Sequence, residues 1–132
     1  MAREEQAFHI FPDVEKSLGY TQAILAGDTL YLSGMIAVDE KLQVVGAGDM
    51  RLQAQTVYEI LGRVLAHHGM TLKNVVRETV FVTDIAAMAN GRSARASAYR
   101  DAGAYPPASS MVEVKALFSP EAMIEIEMTA VR

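Results

Sequence analysis

The 132 residues, 51% hydrophobic and 21% charged, have the composition of one folded domain, which excludes a chain disordered throughout. Twelve Lys and Arg against 16 Asp and Glu leave a formal charge of −4, a poor footing for a nucleic-acid partner. With no Cys there is no disulfide, no thiolate metal site and no cysteine nucleophile.

The start, Met1 to Gln6, is charged and lacks the apolar stretch of a secretory signal. No uncharged run approaches the roughly 20 apolar residues of a membrane span, so a cytoplasmic protein without a membrane partner is expected. Residues 1–17 are read as an N-terminal segment ahead of a domain over 18–132. Thr21–Leu25 and Thr29–Ser33 form a hairpin about the turn residues Ala26-Gly27-Asp28. A short strand at Met35–Val38 ends in the polar turn Asp39-Glu40-Lys41.

From Met50 the period becomes helical. Met50, Ala54, Val57, Leu61, Val64, Leu65 and His68 recur at spacings of three and four, with Asp49 placed to cap the start and Gly69 to end the helix. Val75–Thr83 is β-branched and aromatic, hence a strand, with Val76, Val80, Val82 and Glu78 on one face. Asp84 caps a second helix over Ile85–Asp101, and Ile85, Met88, Arg92, Ala96 and Tyr99 trace its inward stripe. Strands Ser109–Ala116 and Met123–Val131 follow. This order predicts an α+β domain, a mostly antiparallel sheet with two helices on one face.

Three features bear on chemistry. The last strand alternates Ile124, Ile126 and Met128 with Glu125, Glu127 and Thr129, so one face carries two carboxylates. Alternating glutamates usually mark a solvated sheet face. Arg92 falls on the helical stripe that points inward, where a guanidinium either snorkels or meets an anion. His67 and His68 are adjacent on a helix, point about 100° apart and suit the C-terminal dipole better than a metal. Gly46-Ala47-Gly48 matches neither phosphate-binding pattern, and no serine triad has its motif context.

Five strings in order resemble the RidA/YjgF family of reactive-intermediate (enamine/imine) deaminases. They are Gly19-Tyr20-Thr21-Gln22-Ala23, Leu30-Tyr31-Leu32-Ser33-Gly34, Thr79-Val80-Phe81-Val82-Thr83-Asp84, Pro107 to Val114, and Ile124-Glu125-Ile126-Glu127. The resemblance implies a chorismate-mutase-like fold and a homotrimer with clefts lined by residues of neighbouring subunits. It implies hydrolysis of a C=N or enamine bond, with no metal and no organic cofactor. By resemblance Glu125 is the water-orienting acid/base, Tyr20 and Ser33 line the cleft, and the backbone of Met111 meets substrate. The family's carboxylate-gripping Arg corresponds to Ser109, which predicts an Arg-less branch with altered substrate choice. Arg92 matches a cleft-bordering Asn of many members and is the candidate anchor for a small anionic ligand. The expected function is a deaminase-type hydrolase; the alternative is a non-catalytic small-molecule-binding or regulatory trimer.

Overall fold

The computed structural model describes residues 2–132. Its centre is a six-stranded sheet in the order β1-β2-β3-β6-β4-β5. The strands are β1 (Ala7–Phe8), β2 (Ala23–Ala26), β3 (Thr29–Ile36), β4 (Val75–Val82), β5 (Ala108–Glu113) and β6 (Ile124–Val131). Every pairing is antiparallel except β4 with β5, which a helical crossover makes parallel. The helices are α1 (Arg3–Gln6), α2 (Pro12–Leu18), α3 (Met50–His67) and α4 (Met88–Asp101). The α+β expectation holds, and none of the four helices is long and apolar enough to cross a membrane.

β6 lies between β3 and β4, at the middle of the sheet. Ile124, Ile126, Met128 and Ala130 are buried on its inner face, as the alternation requires. Above them pack Ala54, Val57, Leu61, Val64 and Leu65 of α3, the stripe anticipated from the sequence. Asp49 caps α3 by accepting the Leu52 N–H (3.0 Å), and Gly69 turns the chain out of it at φ 68°. The His68 Nδ1 bonds the Val64 carbonyl (2.8 Å), and His67 stacks on Phe8. Both imidazoles thus close the helix end.

The structure departs from the sequence expectations at four places. Residues expected as a separate strand at Met35–Val38 begin within β3, which runs unbroken from Thr29 to Ile36. The register against β6 shifts between Leu32 and Met35, so one extra residue bulges out there. A second bulge falls between Val75 and Arg77: Val75 is buried, Val76 is half exposed, and Glu78 returns to the core face. The second helix starts at Met88, not Ile85, because Asp84 caps a turn through the Ala86 N–H (2.9 Å). That changes its phase. The inward stripe is Met88, Gly91, Arg95 and Tyr99, and Arg92 is exposed. Finally, the segment ahead of residue 18 holds α1, β1 and α2, with β1 paired to β2.

Arg95 serves a buried carboxylate. Glu78 is fully buried under the two helices, a position that is expensive for a charge unless it is paired. Its Oε2 accepts from Tyr58 (3.0 Å) and Tyr99 (2.8 Å). Its Oε1 accepts from Arg95 Nε (2.7 Å) and Nη2 and, more weakly, from the Ser109 hydroxyl (3.3 Å). Burial, then the negative charge of Glu78, pushes both tyrosines far above their usual range. Burial opposes the charge on Arg95, but Glu78 outweighs it and keeps the guanidinium ionised. The network ties α3, α4, β4 and the edge strand β5 at one point. Arg95→Leu strands the carboxylate and should cost about 3 kcal/mol or more in urea unfolding; a loss within about 1 kcal/mol would show the pair to be dispensable.

Candidate functional site

A cleft of about 540 Å³ opens where α2 lies across the bulged end of β3. Phe11, Val14 and Leu18 come from α2 and the residue before it; Ser33, Gly34, Met35 and Ile36 come from β3. Val38 and Leu42 add the turn after β3, and Phe118 and Ser119 the loop before β6. Tyr20 and Glu125 complete the wall.

Each side of the cleft is fixed by a buried polar side chain. Glu15 of α2 is fully buried and accepts the N–H groups of Phe11 (2.6 Å) and Gln22 (2.7 Å) and the Nδ1 of His9 (2.9 Å). It latches α2 to the start of β2, and so sets Tyr20 between them. Gln53 of α3 is also fully buried. It donates to the carbonyls of Gly46 (3.0 Å) and Glu121 (2.9 Å) and accepts from the Met123 N–H (2.8 Å), holding the loop that brings Phe118 and Ser119.

Glu125 projects from the face of β6 opposite the helices, beside Ile36 of β3 and Phe81 of β4. The bulge sets Gly34 directly against it. A Cβ at residue 34 would stand 2.6 Å from Glu125 Oε1, closer than any side chain permits, so only glycine leaves the carboxyl its place. Among the described residues no hydrogen-bond donor meets this carboxyl. Burial raises its pKa above the usual carboxylate value, and Glu127, on the same face, adds to the rise. Burial also raises Tyr20, with Glu15 and Glu125 contributing. The Ser33 hydroxyl donates to the Thr21 carbonyl (2.6 Å), which leaves its oxygen free to accept.

Of the residues singled out in the sequence, the structure gathers Tyr20, Ser33 and Glu125 in this cleft. Ser109 and Met111 lie on β5, two strands from β6, where all six residues are exposed. Arg92 lies on the exposed side of α4. Neither β5 nor Arg92 contributes to the cleft within one chain. Sequence reasoning missed Glu15, Gln53 and Arg95. Glu15 had a faint signal, a Pro at the first helical position with a carboxylate three residues on. Gln53 had none, since a buried glutamine in an apolar stripe looks like a break in it.

A mostly antiparallel sheet roofed by two helices defines a class of small α+β proteins. Known proteins fill that class. A family model described as Endoribonuclease L-PSP matches residues 13–132. The 2-iminobutanoate/2-iminopropanoate deaminase of Salmonella typhimurium is 34% identical over 113 residues, 86% of this chain and 87% of that protein. The 3-aminoacrylate deaminase RutC of Acinetobacter baylyi is 32% identical over 111 residues, 84% of this chain and 85% of that protein. The crystal structure of Rv2704 from Mycobacterium tuberculosis, a member of the YjgF/YER057c/UK114 family, superposes with a TM-score of 0.80 at 27% identity, covering 96% of this chain and 98% of that one. The chain belongs to the RidA/YjgF family.

A carboxyl whose folded-state pKa is raised binds its proton more tightly in the native than in the unfolded chain. The native state therefore loses stability as pH rises from the unfolded value, near 4.5, through the raised one. At neutral pH the ionised Glu125 is a net cost. Glu125→Gln should raise the melting temperature at pH 7, and the gain should vanish below about pH 4, where both states are protonated. An unchanged or lower melting temperature at pH 7 would contradict the desolvation of this group.

Proposed function

We propose that this protein is a deaminase-type hydrolase of imines or enamines, working at Glu125. The observation that carries the reading is a poised, unpaired carboxyl set in an apolar cleft by a glycine bulge. General acid–base work requires such a group, one whose proton affinity burial has raised and which can reach a water. The carboxylate orients water and takes its proton as the oxygen adds to the C=N carbon. It returns the proton to nitrogen, then relays the remaining hydroxyl proton of the adduct the same way as the C–N bond breaks, and the nitrogen leaves as ammonia. Tyr20 and Ser33 border the reacting atoms and orient them. Two of the relatives are deaminases, which supports the same reaction type here.

In this reading the active assembly is a trimer. β5 is an edge strand with all six residues exposed, Met111 and Val112 among them, an edge that proteins normally cover. A neighbouring copy's β5 then brings Ser109 and Met111 toward the cleft of Glu125, and Ser109 takes the position of the family's usual Arg. A charge-assisted fork is thereby absent. The alternative is a binding or regulatory trimer of the same fold, favoured by that absence.

Ammonia release from imines, generated in solution by an amine or amino-acid oxidase, tests the reading. Glu125→Gln should lower the rate by about a hundredfold or more while the protein stays folded. Gly34→Ala should fold, since only the tip of Glu125 must yield, yet lose at least about tenfold in kcat because the carboxyl is displaced. Equal rates for wild type and Glu125→Gln, or no acceleration on any imine, would leave the binding role. Light scattering that gave a monomer at micromolar concentration would remove the trimer.

A further inference from the structure

We propose that the cleft beside Glu125 takes an uncharged imine bearing a bulky apolar substituent and no carboxylate. The inference rests on the hydrolase reading and narrows its substrate.

The first argument is charge. Among the described residues lining the cleft, Glu125 alone is charged, and no Lys, Arg or His is present. A carboxylate brought in would lie next to Glu125, whose own ionisation burial and Glu127 already oppose. Burying an anion without a partner is among the most expensive steps a site can ask of a ligand. The cations that might have moved in are committed elsewhere. Arg95 is bound to Glu78 on the helix-covered face, opposite Glu125, and Arg92 is exposed on α4. The Ser109 hydroxyl also points to Glu78. Glu78 and Arg95 cancel, and the neighbouring Arg77 of β4 does not line the cleft and bonds the Ser110 hydroxyl (2.8 Å).

The second argument is size and surface. Within one chain the cleft measures about 540 Å³, in the range of roughly 300–1,000 Å³ that holds drug-sized ligands, so it leaves room for a bulky substituent beside a neighbour's β5. Phe11, Val14, Leu18, Met35, Ile36 and Phe118 make the walls apolar.

The third is Leu42. It is the one non-glycine residue at positive φ (63°) among those described, in a turn where glycine or asparagine would be at ease. The turn holds it there. Asp39 Oδ1 accepts the N–H groups of Lys41 (2.8 Å) and Gln43 (3.0 Å), and the Leu42 N–H bonds the Asp39 carbonyl (3.0 Å). A branched apolar side chain kept in a disfavoured conformation, and lining the cleft, marks an apolar contact with the ligand.

The reaction balances without a further reagent. Water adds its oxygen to the C=N carbon, the C–N bond breaks, and a ketone or aldehyde leaves with ammonia. Both protons of the water pass from oxygen to nitrogen, one as the water adds and one as the C–N bond breaks; Glu125 relays each in turn and ends as it began.

The test compares benzophenone imine with 2-iminopropanoate as substrates. Calorimetry then compares acetophenone with pyruvate as product-like ligands. Wild-type kcat/KM on benzophenone imine should exceed that on 2-iminopropanoate by about tenfold or more. Leu42→Asn, which tolerates this φ, should leave the protein folded by circular dichroism yet weaken acetophenone binding by about fivefold or more. Preference for 2-iminopropanoate, with Glu125→Gln silencing it, would overturn this inference and leave the hydrolase reading intact. If neither imine is hydrolysed faster than in buffer, the hydrolase reading falls and the calorimetry decides the ligand class alone. Tighter binding of acetophenone than of pyruvate then supports it; equal binding, or none, overturns it.

Discussion

The strict two-residue period of β6 governs where the chemistry sits. This strand runs through the middle of the sheet, with β3 on one side and β4 on the other. Ile124, Ile126 and Met128 must face the helices to close the core, so Glu125 must face away from them. A slip of one residue would put both carboxylates into the core and its three largest apolar groups outside. Core packing thus fixes the acid on the open face, and the bulge in β3 then decides what lies over it. Gly34 lets the neighbouring strand approach the carboxyl without displacing it.

Three glutamates in this small protein are withdrawn from water, and the contrast among them separates structure from reactivity. Glu78 is met by two hydroxyls and a guanidinium, and Glu15 by two backbone N–H groups and an imidazole. Both have their lone pairs occupied and act as ties between elements. Glu125 is half-buried and, among the described residues, receives no donor. Its unmet demand raises its pKa and keeps it available to water or substrate. The tying role of the other two and the raised pKa of the third follow from one rule applied to different surroundings.

The sequence made the long periodic elements legible. α3, β4 and β6 are where their patterns put them, because each buries a continuous stripe or face. It was less informative wherever one residue changed the phase. The bulge at Val76 breaks the alternation that puts Val76 on one face with Glu78, Val80 and Val82, and a bulge leaves almost no mark in composition. The extra turn after Asp84 rotates α4, so that Arg95 points inward and Arg92 does not. Arg95 and Glu78 each look like a breach of the apolar pattern when read singly. Only their pairing across two elements explains either. The elements ahead of residue 18 depend on Glu15, whose partners at His9, Phe11 and Gln22 are contacts that no local pattern announces. Of the candidate site, Tyr20, Ser33 and Glu125 were legible, whereas the walls of the cleft required the fold.

The account stands or falls on the protonation of one carboxyl. Carbon-13 NMR of the glutamate side-chain carboxyls, followed through a pH titration of the native protein, reads it directly. The account predicts a Glu125 midpoint clearly above 4.5, the ordinary glutamate value. A Glu125 midpoint at or below that value would mean a solvated carboxylate, and the cleft would then hold no poised acid.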